Sequence, residues 1–349
     1  MSGLPNKEPA VWFPAIRAGT GIDVFTERLA AALARQGIRT EITWLPHYAE
    51  YAPWLVRPPR QPDWANVAHC NSWLHPRLLT GRLPTVVTLH SCVHDPALAP
   101  YKSRAQALYH HQWIARLEHS IVAHADQVTA VSDYTARRAT AVFGRQGIKT
   151  VHNWIDSELY RPVPRCAPSR PLRLLFVGNL NARKGADLLP EIMRRLGDDF
   201  VLHYTGRPQD FGHHPMLPAN MAALGRLQGD LALVEAYQSS DALLFPTRLE
   251  GFGLAALEAQ ACGLPVIASR NTSIPEVVRD AESGILCPTD DVDAFVQAAR
   301  RLRRENGLWE RMSAAAVQQA RRFSEEAAVT RYLDVYRGLW RARLRRKTP

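Results

Sequence analysis

Cysteine is scarce in this chain and unpatterned. The five cysteines, Cys70, Cys92, Cys166, Cys262 and Cys287, are odd in number and scattered, with no C-x-x-C pair. That argues against a disulfide framework and a cysteine zinc site and for a reducing compartment, so a cytoplasmic protein is expected. No apolar run approaches the ~20 residues that a membrane-spanning helix needs. The segment Met1 to Glu8 lacks the apolar core of a secretory leader. One D-x-D occurs, Asp291-Val-Asp293, following Pro288 at the start of a helical pattern, and it reads as a helix cap. His110-His111 has no second ligand pair at metal spacing, so no metal is expected.

What is present points to two domains. At 349 residues and 46% hydrophobic residues, the chain can bury two cores. The formal charge of +10 is uneven: residues 1–170 hold 19 Lys and Arg against 12 Asp and Glu, while the tail 337–349 holds six basic residues and no acid. Such a distribution suits an anionic partner: phosphate, acidic lipid headgroups or nucleic acid. Nucleic acid is not expected, because no binding motif accompanies the charge.

Strand and helix patterns alternate along both halves, which implies doubly wound α/β domains. Ala10 to Phe13 is a strand. The turn Arg17-Ala-Gly-Thr-Gly21 follows, then a helix to Arg35 stopped by Gly37, then a strand to Leu45. Residues 46–64, rich in proline and aromatics, read as an irregular loop. Pro84 to His90 is a buried strand ending in histidine, where ligands of open α/β sheets bind. Tyr101 to Ala125 is an amphipathic helix whose basic and aromatic residues also suit a membrane surface. Ser132 caps a helix over 133–143. The proline-rich stretch 162–171 reads as the interdomain linker, giving domains 1–163 and 171–323. The helix of 324–349 then carries one apolar stripe (Val329, Tyr332, Leu333, Tyr336, Leu339).

The chain is organised around Phe245 to Ser269, read as strand, loop, helix, turn and strand. Gly251 and Gly253 allow a tight turn and close backbone approach. A helix runs from Leu254 to about Cys262, with Gly263 as its stop and Pro265 beyond. A diphosphate would sit at the N-terminus of that helix. Glu258, about one turn inside on the face of Leu254, would accept hydrogen bonds from a ribose diol. Glu250, on the loop, would face the group at the other end of the diphosphate. That is the shape of a nucleotide-sugar site.

Glu250-Gly-Phe-Gly-Leu254 followed by Glu258-Ala-Gln-Ala-Cys-Gly-Leu-Pro-Val266 resembles the E-x7-E signature of retaining glycosyltransferases of the GT-B fold, family 4. The resemblance extends over nearly the whole chain. It implies two Rossmann-like domains facing a cleft, with the last helix crossing back to the first domain. It implies a metal-independent enzyme that moves a sugar from a UDP- or GDP-linked donor to a hydroxyl of a glycan or lipid-linked acceptor. Glu250, His90 and Lys184 are the catalytic candidates. Donor contacts fall on Gly19, Gly21, Gly178, Asn179, Arg183, Lys184, Leu227, Gly251, Phe252, Gly253, Leu254 and Glu258. The chain departs from the pattern in places. Asn179 stands where the family has a phosphate-binding arginine, with Arg183 nearby as a substitute. Ser91 follows His90 where the family often has Asp, Trp154 replaces a glycine, and Thr272 and Ser273 replace two glycines before Pro275-Glu276. The Asn179 departure keeps a second reading open, a nucleotide-sugar-binding or scaffolding subunit with weak turnover. For the cytoplasmic protein expected from the cysteines, the basic first half and tail make the inner face of the membrane a candidate peripheral contact.

Overall fold

The computed structural model describes residues 8–79, 81, 83–211 and 216–347, with side chains through 345. The first seven residues of the Met1 to Glu8 segment and the last two residues of the basic tail lie outside the described residues. The chain divides into two compact units, residues 1–152 with 325–349, and residues 153–324.

The first unit is built on β1 (Val11–Ile16), β2 (Thr40–Leu45), β3 (Val67–Asn71), β4 (Thr85–Leu89), β5 (Gln127–Ala130) and β6 (Lys149–Thr150), in the order β2-β1-β3-β4-β5-β6. Every pairing is parallel. Parallel strands are covered on both faces and read as near-continuous apolar runs. Thr85–Leu89 is buried along its whole length for that reason. Val87, Leu89 and Val128 pack on Ile121 and Val122 of the helix Ala115–His124. Burying such side chains contributes about 1.5–3 kcal/mol each. The chain reverses its direction of winding between β1 and β3, so the carboxyl ends of those strands form the ligand-binding switch point.

The second unit holds β7 (Leu172–Phe176), β8 (Phe200–Thr205), β9 (Met221–Gly225), β10 (Ala242–Phe245), β11 (Val266–Ser269) and β12 (Gly284–Cys287), again all parallel. Their order, β12-β11-β10-β7-β8-β9, is that of the dinucleotide-binding fold, with its switch point between β7 and β10. Leu174, Phe176, Ile192, Leu202, Leu244 and Phe295 form its core.

The boundary between units lies at 152/153 rather than within 162–171. The proline-rich stretch is not a free linker, because it docks on the second unit. Ile155 N–H donates to Phe323 carbonyl at 3.0 Å. Tyr160 packs edge-on against Tyr237. Arg165 pairs with the buried Asp241, which also accepts from Ser169 N–H at 3.1 Å and Arg173 N–H at 2.7 Å. The last helix, Glu325–Lys347, belongs to the first unit, where Tyr336 hydroxyl lies 2.7 Å from His69 Nδ1. The amphipathic segment expected over 101–125 is interrupted: a short 3-10 turn (Pro96–Tyr101) precedes the helix Arg104–Tyr109, and a π turn (His110–Ile114) leads into Ala115–His124. Among the described residues no helix is long and apolar enough to cross a membrane.

Candidate functional site

Two loops leave the switch point of the second sheet. One follows β7 and runs from Gly178 to Gly185; the other follows β10 and runs from Pro246 to Gly253. They meet so closely that Gly185 admits no side chain. Its φ is +70°, and a Cβ there would stand 1.9 Å from the carbonyl oxygen of Pro246. The contact brings Lys184 to Glu250, with Nζ 2.5 Å from Oε1, both side chains mostly buried at 16% and 10% exposure. Thr247 Oγ1 donates to the same carboxylate oxygen at 2.9 Å. Lys184 also sits 5.3 Å above the ring of Phe245.

Arg248 ties the two loops together. Its guanidinium bonds both oxygens of Asp187 (2.6 and 2.8 Å), Asp290 (2.6 Å) and the Ala182 carbonyl (2.5 Å). Those bonds to carboxylates raise its pKa further above the ordinary arginine value. Arg183, the expected substitute for the family arginine, is turned to the second loop and donates to the Leu249 carbonyl at 3.0 Å. Asn179 is exposed, with its backbone carbonyl accepting from Asn181 N–H. Gly178, with φ +148°, exchanges bonds with Thr205 Oγ1 through its N–H (3.0 Å) and carbonyl (3.1 Å).

The two residues that replace glycines grip Glu250 by its backbone. Thr272 Oγ1 accepts from Glu250 N–H at 3.2 Å, and Ser273 Oγ donates to Glu250 carbonyl at 3.1 Å. Thr272 keeps the left-handed backbone that a glycine would favour, at φ +49°. A β-branched residue rarely adopts that conformation.

Gly253, at φ +99°, caps the helix Leu254–Ala261. A Cβ there would come 2.9 Å from Ile274 Cδ1. The first N–H groups of such a helix have no partner within it and attract anions. Gly251 and Leu254 flank this turn and are partly exposed. Phe252, counted among the donor contacts, turns its side chain into the core and stacks edge-on with Phe323 at 5.5 Å, so only its backbone faces the turn. Glu258 is buried one turn inside, and its Oε2 accepts from Tyr237 hydroxyl at 2.9 Å. Burial and this carboxylate hold the Tyr237 phenol far above its ordinary pKa. Leu227 follows β9 and is half-buried.

In the first unit, Gly19 and Gly21 lie at the carboxyl end of β1, and Gly21 opens the helix Gly21–Arg35. The backbone N–H of Gly19 is already taken. Asp23, buried in the first helical turn, accepts from it at 2.7 Å and from Ala18 N–H at 3.0 Å. An acid in the first turn of a helix was a readable signal for this. His90, at the end of β4, is half-buried, stacked edge-on against Phe25, with Nε2 2.8 Å from Asn71 Oδ1. The amide oxygen can only accept, so Nε2 carries the proton and Nδ1 offers a lone pair. Burial lowers its pKa to about 4. Asp291 caps the helix Val292–Arg304, accepting from Ala294 N–H at 3.0 Å.

Two family models cover most of the chain: Glycosyl transferases group 1 over residues 165–319, and Glycosyltransferase Family 4 over residues 43–159. Among curated relatives, D-inositol 3-phosphate glycosyltransferase of Kribbella flavida is 30% identical over 315 residues, covering 80% of this chain and 72% of that protein. The protein of the same name from Saccharomonospora viridis is 31% identical over 250 residues, covering 63% of this chain and 57% of its own length. Among solved structures, sucrose-phosphate synthase of Thermosynechococcus elongatus superposes with a TM-score of 0.74 at 19% identity, over 96% of this chain and 100% of that one. Anabaena HepE in complex with UDP and glucose gives 0.71 at 16% identity, over 93% and 99%. The structural likenesses speak for the fold alone.

Proposed function

The chain belongs to the family 4, group 1 glycosyltransferases of the GT-B fold, and from that premise we propose a retaining transfer from a UDP- or GDP-linked sugar to a hydroxyl of a glycan or lipid-linked acceptor, without a divalent metal. The observation that carries this reading is the Lys184–Glu250 pair at the switch point of the second sheet, beside a helix N-terminus that holds Glu258 one turn inside.

Departure of a nucleoside diphosphate needs stabilisation of developing negative charge. Lys184 supplies a cation, and the helix start at Gly253 supplies backbone N–H groups. Glu258, oriented by Tyr237, takes the ribose hydroxyls through its carboxylate. Glu250 has one oxygen engaged by both Lys184 and Thr247, which fits orientation of the donor sugar rather than attack on it. The anomeric C–O bond to the diphosphate breaks while the acceptor oxygen bonds to the same carbon on the same face. The acceptor proton passes to the departing diphosphate oxygen. Neutral His90 accepts a hydrogen bond from a sugar hydroxyl through Nδ1, with no proton transferred to it.

The chemistry of the relatives guides the choice of ligands. HepE was solved with UDP, so a UDP-sugar is the first donor to try, and D-inositol 3-phosphate joins the acceptor panel. Purified protein is incubated with UDP-, GDP-, ADP- and dTDP-sugars with and without EDTA, and thermal shift and diphosphate release are recorded. One donor giving EDTA-insensitive stabilisation and release, the release lost in Glu250→Ala, supports the reading. Release abolished by EDTA and restored by a divalent ion overturns metal independence. One observation favours the second reading, a nucleotide-sugar-binding subunit with weak turnover: Asn179 offers no cation, and Arg183 is bonded to the Leu249 carbonyl. Donor binding that is lost in Glu258→Ala, with no release from wild type and any acceptor, would select it.

A further inference from the structure

Large apolar side chains exposed to solvent are concentrated in one place. Of the ten among the described residues, five are Tyr48, Tyr51, Trp54, Leu55 and Leu108. Leu55 is 70% exposed, and Trp54 and Leu108 are each 57% exposed. They come from two segments that are bound to each other. Tyr109 hydroxyl donates to Glu50 Oε1 at 3.0 Å, Trp113 Nε1 donates to Glu50 carbonyl at 2.9 Å, and the Trp54 and Trp113 rings meet edge to face at 5.8 Å. The helix Arg104–Tyr109 has no buried residue at all.

Charge and position point the same way. Residues 46–64 and 100–116 together hold five Lys and Arg against two carboxylates, Glu50 and Asp63. Glu50 is bonded inside the patch by Tyr109, and Asp63 pairs with Arg60 at 3.2 Å. Residues 46–62 follow the carboxyl end of β2, and the helix Arg104–Tyr109 lies beyond the carboxyl end of β4. In a parallel sheet those ends share one edge, here the edge that carries Gly19 and His90.

We infer that this patch is the surface by which the first unit docks on an anionic lipid bilayer. Tryptophan and tyrosine at headgroup depth, aliphatic side chains below them and arginine beside them are the chemistry of an interfacial contact. A carbohydrate platform would present flat aromatic rings in a recess. Here the most exposed member is a leucine, Leu55. Docking by this edge turns His90 toward the bilayer and gives a lipid-linked acceptor a short path. In that link to the acceptor, the inference rests on the transferase reading above.

The test is co-sedimentation of the full chain with vesicles of phosphatidylglycerol and phosphatidylcholine in equal parts, and with phosphatidylcholine alone. The chain is expected to sediment with the mixed vesicles, and less so at raised salt. The double substitution W54S with L55S, or L108E alone, should cut partitioning about tenfold, the loss expected from apolar area left in water. All three positions are exposed, so circular dichroism should be unchanged. Docking is overturned if the chain stays in the supernatant with both vesicle types, if the substituted chains sediment like wild type, or if a soluble glycan releases the wild-type chain from the vesicles. It is also overturned if the patch substitutions only convert a dimer to a monomer, since a second copy would then be the occupant. Nucleotide-sugar binding is measured on the same preparations. Binding without sedimentation sinks the docking and leaves the transferase reading standing; sedimentation without binding does the reverse.

Discussion

Tyr237 holds Glu258. Its hydroxyl donates to Oε2 at 2.9 Å inside the second unit, from a helix on the far side of β10 in sequence. A hydrogen bond to a buried carboxylate contributes about 1.5–3 kcal/mol. In the proposed site it orients the carboxylate that takes the ribose.

Removing that hydroxyl should weaken the donor more than the chemistry. In Tyr237→Phe the donor Kd should rise about tenfold with kcat changed by less than about threefold. Calorimetric titration of the donor and a steady-state KM and kcat comparison would check it. An unchanged Kd would mean that Glu258 needs no such support.

Thr272 sits at φ +49° while its hydroxyl holds the Glu250 backbone. Thr272→Ala keeps the left-handed backbone and loses the bond, so a destabilisation of about 1 kcal/mol is expected. Thr272→Gly loses the bond but relieves a conformation worth about 1–2 kcal/mol, so it should be nearer wild type in urea midpoint than the alanine variant. Both should lower kcat, because Glu250 is held more loosely. The reverse order of midpoints would refute the strain argument.

Gly185→Ala tests the meeting of the two loops. Its Cβ would stand 1.9 Å from Pro246 carbonyl oxygen at a φ of +70°. The loops must part, so stability should fall by at least about 2 kcal/mol, and donor stabilisation in a thermal-shift assay should vanish. A folded variant that still binds donor would show that the contact is dispensable.

Acid should destabilise the first unit before carboxylates titrate. Burial lowers the pKa of His69 from 6.5 to about 3 and that of His90 from 6.5 to about 4. Below the unfolded value of 6.5 the unfolded chain takes up protons that the folded chain refuses. Stability is therefore full above that value and is lost as pH falls toward the folded values, by up to about 1.4 kcal/mol per pH unit for each histidine. Urea unfolding at about pH 7 and about pH 5 should show the loss, and His69→Asn should flatten it. A pH-independent midpoint across that interval would exclude the histidines as its origin.

Local chemistry made much of this fold legible. The caps at Ser132 and Asp291, the stop at Gly263 and the strand ends before Gly178 and Pro246 are each written in a few adjacent residues. Glu250 and Glu258 could be singled out because the spacing of glycines and acids is local to one loop and one helix, and Lys184 because it stands in its own glycine loop after β7. Contacts that need distant packing were not. Tyr237 reaches Glu258 across a strand, and nothing at position 237 marks it as a partner. Thr272 and Ser273 read as lost glycines, yet their hydroxyls hold the residue whose loop they face. The proline-rich stretch 162–171 read as a linker because proline breaks periodicity, but Arg165 finds the buried Asp241 and binds the segment to the second unit.

The β7–β10 adjacency also has a consequence for how the second unit is made. Lys184 and Glu250 are 66 residues apart in the chain, and β8 and β9 lie between them. Closing so long a loop costs entropy before any contact repays it, and such pairings form late in folding. The loops meet only once β10 has come to lie beside β7. A donor that spans both loops would then recognise the completed sheet and no earlier state. Its binding should slow unfolding while leaving the rate of refolding unchanged.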